Sequence, residues 1–518
     1  MLLHELFDFH GRSRPTRCFS TFEGATLSYG EAFERSVHMA KGFHSLGFKM
    51  GDRIAILSEN SPDVILTFLA ASRLGLVIVP LNYRQSNAEW AHLLKDSEAV
   101  GIICGKSFCD RVEQIDIPSE IRKITLHDSA LPTWISMEEL VHDSDLYASP
   151  IRPDADDIIF QMYTSGTTGL PKGALISHTN IVSNMTQSLI GTSRRLNPDD
   201  RTLLTLPLFH IAAISTTLQA IVCGATLVVH REVNPIKILE TLETDKIVSL
   251  SLVPAVIQFL LTVPDIETKT FPHLQSIGYG ASPIAEPVLR RAMEVFKCNF
   301  IQGYGMTEMA GSCSILTEDD HQRALAGKPE LLMSAGRPLP GCELRIVDEN
   351  GTDVPQGEVG EILIRGNQVM KRYWKRPDAT AESMIGDWFK TGDAGAMDQE
   401  GYLYIKDRIK DMIVSGAENI YPAEIEIVLH KHPSVADVAV IGIPDEKWGE
   451  TVMAVIIPKP NSEISETELD AHCRDHLGGF KVPRHYVFSE ELPRNASGKV
   501  LKRELRSEFW KGHDRMVS

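Results

Sequence analysis

Amphipathic and apolar segments alternate along the first part of the chain. Residues 27–47 repeat apolar side chains with a helical period, from Phe33 to Phe43, and Pro62 starts a second helical stretch. Short apolar runs between such stretches are typical of buried strands. They fall at 53–57, 76–79, 100–104 and 121–126. Helices that alternate with short apolar strands predict an α/β fold with parallel strands.

The alternation continues over the middle of the chain. Further strands are predicted at 158–162, 203–207, 225–229, 247–252, 276–280 and 300–303. The last two of these each run into a glycine-containing segment. Ligands of open α/β sheets bind in the crevice at the carboxyl ends of the strands. We therefore expect 276–280 and 300–303 to be neighbouring strands that border a binding crevice.

The pattern changes after about residue 340. Short strands with turn signals predict a small β-rich subdomain at about 340–406. A charged segment, 407–411, then precedes a region with its own helices and strands. We therefore predict an N-terminal domain over residues 1–408 and a small α+β domain over 409–518.

Composition narrows the class of protein. The chain of 518 residues is too long to form a single compact core. Its content of 43% hydrophobic and 23% charged residues is typical of a soluble globular protein. A net charge of −17 disfavours nucleic acid as a partner. Eight cysteines without a C-x-x-C pair indicate reduced thiols, and the first residues lack a signal peptide, so we expect a cytoplasmic protein. Arg73 and Pro80 interrupt the most apolar run, so no membrane span is predicted.

The segment 163–173 combines three glycines, four Ser or Thr hydroxyls and Lys172. Hydroxyls and exposed backbone amides bind phosphate oxygens, and glycines let the backbone approach closely. The segment is not a Walker A loop, because Pro171 precedes the lysine and Gly173 follows it. It is interpreted as a polyphosphate-binding loop, with a Ser/Thr/Gly surface turn as the alternative.

Four later segments complete a recognisable set: 302–308, 388–393, 407–424 and 493–499. With the 163–173 loop, they resemble the ordered motifs of the adenylate-forming superfamily. That superfamily comprises acyl- and aryl-CoA synthetases, adenylation domains of peptide synthetases and beetle luciferases. The resemblance covers nearly the whole chain, and the 407–416 segment is most similar to the acyl/aryl-CoA synthetase branch.

The resemblance implies an AMP-forming ligase that works in two steps. A carboxylate first attacks the α-phosphate of Mg-ATP, which gives an acyl-adenylate and pyrophosphate. The thiolate of CoA then attacks the mixed anhydride and AMP leaves. The resemblance also implies a mobile C-terminal domain, which turns between the two steps about a hinge at Lys410.

The motifs assign expected roles to individual residues. Lys499 should bridge the substrate carboxylate and the α-phosphate, Lys172 should guide pyrophosphate, and Glu308 should hold Mg²⁺. Outside these motifs, Lys499 would be read as a surface lysine and Glu308 as an acid at a helix N-terminus. ATP or AMP should contact Thr164, Ser165, Gly166, Thr167, Thr168, Gly169, Gly280, Ala281, Gln302, Gly303, Tyr304, Thr307, Asp393 and Arg408, and CoA should contact Ser415, Gly416 and Ala417.

The expected acyl pocket consists mainly of apolar or small residues. Its members are Phe209, His210, Ile211, Tyr279, Met306 and Gly311. Adenylation domains for amino acids carry Phe-Asp at positions 209–210, so His210 disfavours an amino-acid substrate. Depth beside Gly280 and Gly311 favours a medium- or long-chain fatty acid, with a benzoate- or cinnamate-type acid as the alternative.

Other functions stay open at this point. No carrier-protein segment follows residue 518, which favours CoA as the acceptor. An enzyme that loads a separate carrier protein, a luciferase-like oxygenase and a catalytically silent AMP-binding scaffold are the alternatives. The oligomeric state also stays open, a homodimer included.

Overall fold

The computed structural model describes residues 1–118, 120–126, 131–142, 152–164, 171–192, 195–282, 284–415, 418–445, 447–460, 462–494 and 500–511. Over these ranges the α-helices are α1 Leu3–Ser13, α2 Tyr29–Ser45, α3 Pro62–Leu74, α4 Asn87–Ser97, α5 Cys109–Glu113, α6 Met137–His142, α7 His178–Gly191, α8 Ile211–Cys223, α9 Pro235–Thr244, α10 Pro254–Leu260, α11 Glu286–Phe296, α12 Glu318–Leu325, α13 Pro377–Glu382, α14 Pro422–His430, α15 Glu466–His476 and α16 Lys502–Ser507.

The strands of the first two-thirds of the chain are β1 Cys18–Phe22, β2 Ala25–Ser28, β3 Arg53–Leu57, β4 Val77–Pro80, β5 Gly101–Cys104, β6 Arg122–Thr125, β7 Ile135–Ser136, β8 Ile158–Thr164, β9 Lys172–Ser177, β10 Arg201–Leu204, β11 Thr226–Val229, β12 Ile247–Leu252, β13 Ser276–Gly280, β14 Asn299–Met306, β15 Gly311–Leu316 and β16 Arg337–Pro338. The remaining strands are β17 Glu343–Val347, β18 Gly360–Arg365, β19 Arg372–Tyr373, β20 Met384–Ile385, β21 Trp388–Met397, β22 Leu403–Arg408, β23 Ile413–Ser415, β24 Glu418–Ile420, β25 Val435–Asp445, β26 Gly449–Pro458 and β27 His485–Phe488.

Two large sheets form the centre of the N-terminal region. A nine-stranded sheet has the order β16-β15-β14-β13-β12-β10-β11-β1-β2, and an eight-stranded sheet has the order β19-β9-β8-β4-β3-β5-β6-β7. Parallel pairing dominates both sheets, and antiparallel strands lie at their edges. The predicted α/β fold with parallel strands is confirmed.

One hydrophobic core joins the two large sheets. Helices α2, α3, α7 and α8 contribute buried side chains to it, and so do strands of both sheets, such as Ile54 of β3 and Leu204 of β10. The helices therefore lie between the sheets. Their ends are set locally: the Ser61 hydroxyl accepts a hydrogen bond from the Val64 backbone N–H at the start of α3, and Gly75 ends that helix with a φ of 65°.

Two smaller sheets follow. Strands β17, β18, β20, β21 and β22 form an antiparallel five-stranded sheet, and β23 to β27 form a second five-stranded sheet that is covered by α14 and α15. The large N-terminal region and the small C-terminal region agree with the predicted fold class. The domain boundary near residue 408 remains a proposal.

Candidate active site

A cavity of about 2390 Å³ lies between the large N-terminal region and the C-terminal region. Residues from both large sheets line it, among them Thr164 of β8, Gly280 of β13 and Met306 of β14. Residues beyond Lys410 also line it, including Arg494 and Val500. The predicted crevice is therefore present, and the C-terminal region forms one of its walls.

The strands β13 and β14 are parallel neighbours, as predicted, with Gly280 opposite Gly303. A Cβ added to Gly280 would lie 2.3 Å from the Gly303 carbonyl oxygen. The close approach of the two strands therefore requires glycine at position 280. The acyl pocket was expected to be deep beside Gly280, but the backbone of β14 fills that space. Ala281 lines the cavity with a φ of 67°.

Glu308 is the centre of a buried hydrogen-bonded cluster. The Thr164 hydroxyl donates to Glu308 Oε1 at 3.0 Å, and the Tyr373 hydroxyl donates to the same oxygen at 2.9 Å. Glu308 lies in a single helical turn directly after β14 and is only 8% exposed, yet it lines the cavity. Burial, and then the Glu308 charge, raise the pKa of Tyr373, so its hydroxyl remains a donor at neutral pH.

The segment interpreted as a phosphate-binding loop lies between two antiparallel strands. Thr164 at the end of β8 is paired with Lys172 at the start of β9, and the Lys172 Nζ lies 5.4 Å from the centre of the Tyr373 ring. A strand, and not a helix, follows the loop, which agrees with the exclusion of a Walker A motif. Ser165, Gly166, Thr167, Thr168 and Gly169 lie outside the described residues.

A second cluster surrounds Asp393. Its Oδ2 accepts a hydrogen bond from the Tyr304 hydroxyl at 2.7 Å, and the Arg408 Nε lies 2.7 Å from its Oδ1. Burial alone would lower the pKa of Arg408, but the negative charges of Asp393 and Glu308 help to outweigh burial and raise it. Arg408 lines the cavity, whereas Asp393 and Tyr304 lie directly behind the lining.

Of the remaining residues that were predicted to contact the nucleotide, some line the cavity and others lie behind its lining. Thr307 and Gly303 line the cavity. Gln302 lies behind it, and its Oε1 accepts a hydrogen bond of 3.5 Å from the Tyr279 hydroxyl. That hydroxyl also lies 2.9 Å from His321 Nε2, which fixes the Tyr279 ring at the wall of the cavity.

The predicted acyl residues all line the same cavity, namely Phe209, His210, Ile211, Tyr279, Met306 and Gly311. The His210 ring contacts Phe209 with centroids 4.4 Å apart, and Phe209 packs edge-on against Tyr83. Burial, and then the charge of Arg84, lower the pKa of His210 to about 4. His210 is therefore neutral at pH 7, and its buried Nε2 has no hydrogen-bond partner among the residues that the structure describes.

The Lys410 segment connects the two regions. Lys410 lines the cavity, and Arg506 of α16 donates to the Lys410 carbonyl oxygen at 3.3 Å and forms an ion pair with Asp411. Burial lowers the pKa of Lys410, and the charge of Asp411 opposes this effect. Lys499 lies outside the described residues, although Arg494 and Val500, the nearest described residues on either side of it, line the cavity.

Ser415 ends β23, where it pairs with Gly449 of β26, and it does not line the cavity. Gly416 and Ala417 lie outside the described residues.

The structure also adds two residues that the sequence did not predict, Tyr373 and Arg506. Both act through partners more than sixty residues away in the chain. Such pairs have no local sequence signal.

The chemistry of the Glu308 cluster is compatible with a hard cation. Both described side-chain donors bind Oε1, so Oε2 is the oxygen that they leave to a further ligand. Across the described ranges, no group of three or more His, Cys, Asp or Glu side chains could hold a metal on its own. One carboxylate that shares a cation with phosphate oxygens fits the binding preference of Mg²⁺.

Comparison with known proteins identifies the class. The AMP-binding enzyme model matches residues 7–374, and the AMP-binding enzyme C-terminal domain model matches residues 424–499. The chain is 34% identical to a fatty acid–[acyl-carrier-protein] ligase, ScoC, of Streptomyces coeruleorubidus, over 98% of this chain and 97% of that protein. It is 36% identical to a feruloyl-CoA synthase of an Amycolatopsis species, over 94% of each chain.

A solved structure gives the same result. The crystal structure of ATP-bound MatB from Rhodopseudomonas palustris matches with a TM-score of 0.89 and 29% identity, over 99% of both chains. The chain therefore belongs to the AMP-binding enzyme family, among the AMP-forming acyl- and aryl-CoA ligases. The resemblance predicted from the motifs is confirmed at this level.

Two general expectations can also be compared with the structure. All eight cysteines are free thiols. In the part of the chain that the structure describes, every helix is too short or too polar to span a bilayer.

Proposed function

We propose that this enzyme joins a carboxylic acid to CoA in two steps. In the first step, a carboxylate oxygen attacks the α-phosphate of ATP, the bond to the β-phosphate oxygen breaks, and pyrophosphate leaves. In the second step, the thiolate of CoA attacks the acyl carbon, the bond to the AMP oxygen breaks, and AMP leaves. The products are acyl-CoA, AMP and pyrophosphate.

One observation carries the proposal. The Glu308 cluster, Arg408 and the apolar residues around Phe209 line a single cavity, which the segment beside Lys499 also borders. ATP, an acid and a mobile lysine can meet in such a space. The proximity of reacting groups accounts for a large part of catalysis in reactions of this kind.

The phosphates would bind at the end of the cavity near Lys172. Thr164 and the following loop would supply hydroxyl and amide donors, and Lys172 would supply a positive charge. Mg²⁺ held by Glu308 would offset the negative charge that accumulates on the phosphate oxygens. The Tyr373 and Thr164 hydroxyls orient the Glu308 carboxylate for this task.

The nucleoside would bind near β13 and β14. Gly280, Ala281 and Tyr304 would border the adenine, with Gln302, Gly303 and Thr307 around them. Asp393 would accept hydrogen bonds from the ribose hydroxyls. Because Tyr304 and Arg408 already bind one oxygen each, the carboxylate is held in a fixed orientation before the ribose arrives.

The catalytic cation of the first step would be Lys499, which offsets charge between the carboxylate and the α-phosphate. The second step needs a different arrangement of the C-terminal domain. The CoA thiol must then reach the acyl carbon, beside which Lys499 would lie during the first step. Rotation of the C-terminal domain about Lys410 would provide it. Ser415, Gly416 and Ala417 would then border the pantetheine arm.

The acid would have an apolar body. Neutral His210 and its neighbours Phe209 and Ile211 offer no ionic partner for an α-amino group. A medium- or long-chain fatty acid remains our first candidate. An aromatic acid is the second, supported by the similarity to a feruloyl-CoA synthase. The similarity to ScoC supports carrier-protein loading as an alternative second step.

Release of AMP and pyrophosphate tests the proposal. Fatty, benzoate-type and cinnamate-type acids would be supplied with Mg-ATP, each with and without CoA. We expect acid-dependent pyrophosphate release, and AMP release that requires CoA. AMP release that depends on a carrier protein instead of CoA would refute CoA as the acceptor. The absence of ATP–pyrophosphate exchange with every acid would refute adenylation.

A further inference from the structure

One face of α8 lines the cavity along nearly the whole helix. Helix α8 connects the end of β10 with the start of the parallel strand β11, so it runs back along the sheet toward the amino ends of these strands. Ala212, Thr216, Gln219 and Cys223 follow at helical spacing, and all four line the cavity and are partly exposed. The cavity therefore extends along α8 for about 16 Å, the axial rise from Ala212 to Cys223.

The nine-stranded sheet supplies small hydroxyl side chains to the same cavity. Thr202 of β10 is paired with Ser249 of β12, so both point to one face, and Ser251 lies two residues further along β12. Leu204, two residues after Thr202, packs in the core that α8 shares, so this face is the one toward α8. Strands inside a parallel sheet usually carry bulky apolar residues, whereas these three hydroxyl residues are partly exposed and line the cavity. We call the space between them and the lining face of α8 the α8 channel.

The hydrogen bonds of these side chains decide what the α8 channel can bind. The Thr216 hydroxyl donates to the Ala212 carbonyl oxygen at 3.0 Å, and the Ser249 hydroxyl donates to Thr202 Oγ1 at 2.9 Å. Both hydroxyls therefore offer only lone pairs to a ligand. The Gln219 side chain makes no hydrogen bond with the residues that the structure describes, so its N–H donors and its carbonyl acceptor are both available to a ligand.

We propose that the α8 channel binds the far end of an elongated acid that carries a hydroxyl at that end. The inference rests on the proposed function and narrows its substrate class. A hydroxyl is both a donor and an acceptor, so it can accept from Gln219 Nε2 and donate to a lone pair of the channel wall. A chain without the hydroxyl would displace water from the Gln219 amide and leave it unpaired, which is unfavourable.

Charge and position restrict the group further. Arg195 and Asp200 both act on Cys223 at the far end of the channel, and their charges are opposite, which favours a neutral group over a second carboxylate or an ammonium. Gln219 lies about 10 Å along the helix axis from Ala212, so the hydroxyl must be remote from the reacting carboxylate. A hydroxy fatty acid and an extended phenolic acid share this chemistry, and matched substrates distinguish them.

The first experiment uses the wild-type enzyme and matched pairs of acids. The pairs are ω-hydroxy fatty acids with unsubstituted acids of equal length, over a series of chain lengths, and 4-hydroxycinnamate with cinnamate. For at least one pair we expect the hydroxy acid to have a kcat/KM about 5- to 30-fold higher, as one hydrogen bond to a partly buried amide gives. A 2-hydroxy acid, whose hydroxyl lies beside the carboxylate, should show no such gain. Equal kcat/KM within every pair, or an equal gain from the 2-hydroxy acid, would overturn the proposal.

A variant of Gln219 then separates recognition from packing. Gln219→Leu replaces the amide with an apolar group of similar size, and we expect the preference within the responding pair to fall to about one. The kcat/KM of the unsubstituted acid should rise, which a general loss of packing would not produce. A preference that persists in Gln219→Leu would overturn the proposal.

The matched control is Gln187→Leu on the neighbouring helix α7. Gln187 Nε2 donates to Gln368 Oε1 at 3.1 Å, and Gln187 does not line the cavity. The control therefore makes the same replacement outside the channel. We expect it to keep the full preference for the hydroxy acid, even if its Tm falls. Loss of the preference in this control would assign the effect to packing and overturn the proposal.

Direct binding to the wild-type enzyme keeps this inference separate from the proposed function and does not depend on the folding of a variant. The Kd of each acid would be measured by calorimetry in the presence of AMP. If no acid is ligated but the hydroxy acid of a pair binds more tightly, the ligase proposal fails and the channel proposal stands. If matched acids have equal Kd values in every pair, or no acid binds, the channel proposal fails.

Discussion

The hydroxyl of Tyr373 gives a sharp test of the Glu308 cluster. Tyr373→Phe removes the 2.9 Å hydrogen bond to Glu308 Oε1 and keeps the ring near Lys172. A hydrogen bond to an ionised group contributes about 1.5–3 kcal/mol, and about 1.4 kcal/mol corresponds to a factor of ten. Thr164 still donates to the same oxygen at 3.0 Å. We therefore expect the lower part of the range, a loss of about 10- to 30-fold.

The assay is acid-dependent ATP–pyrophosphate exchange, measured over a series of Mg²⁺ concentrations. Misorientation of Glu308 should appear as a higher Mg²⁺ requirement together with the lower rate. The acid would be the one that gives the highest exchange rate with the wild-type enzyme. Exchange within about twofold of wild type at every Mg²⁺ concentration would refute the reasoning.

Tyr402→Phe is the matched control. The Tyr402 hydroxyl donates to the buried carboxylate of Asp320, but neither residue lines the cavity. The control therefore removes the same kind of bond at a distance from the site. We expect its Tm to fall while its exchange rate and Mg²⁺ requirement stay at wild-type values. An equal loss of exchange in the control would mean that the Tyr373 effect is a general loss of packing.

Two further predictions concern the C-terminal region. Lys499→Ala should abolish acid-dependent exchange and spare thioester formation from supplied acyl-adenylate; normal exchange would contradict the role of Lys499. Asp411→Asn should destabilise the fold by about 3–5 kcal/mol at neutral pH, because it leaves Arg506 buried without its partner. Burial opposes ionisation of Asp411, but Arg506 and Lys502 outweigh it and lower its pKa below the ordinary 3.8. This stabilisation is therefore present above pH 3.8 and is lost as the pH falls through the lowered pKa, so the Tm difference between wild type and variant should shrink there. A Tm difference that is constant from pH 7 to pH 3 would contradict this assignment.

The sequence predicted the elements of the fold well where hydrophobic pattern and end signals coincide. Residues 53–57 and 247–252 are strands with the predicted bounds, and a helix starts at Pro62 as predicted. The strand predicted at 300–303 is longer, Asn299–Met306, because pairing with β15 extends it through the glycines. Pairing between distant segments has no signature in the local pattern.

The candidate site was predictable where a motif concentrates its chemistry. Glu308 and Arg408 line the cavity as the motifs predicted. The expected depth at Gly280 was wrong, because the backbone of the neighbouring strand fills that space. Tyr373 could not be found from sequence, since its role depends on the pairing of β19 with β9. The roles of individual residues remain predictions.

The position of Asp407 has a consequence for the order of events in a turnover. Asp407 precedes Lys410 in the chain, whereas its partners follow it: the Ala423 backbone N–H donates to Oδ2 at 2.8 Å, and the Lys502 Nζ lies 3.9 Å from that oxygen. If the small domain turns about Lys410, these contacts must separate. The contacts of Asp407 would then favour the orientation described here, and each turnover would have to break them and form them again.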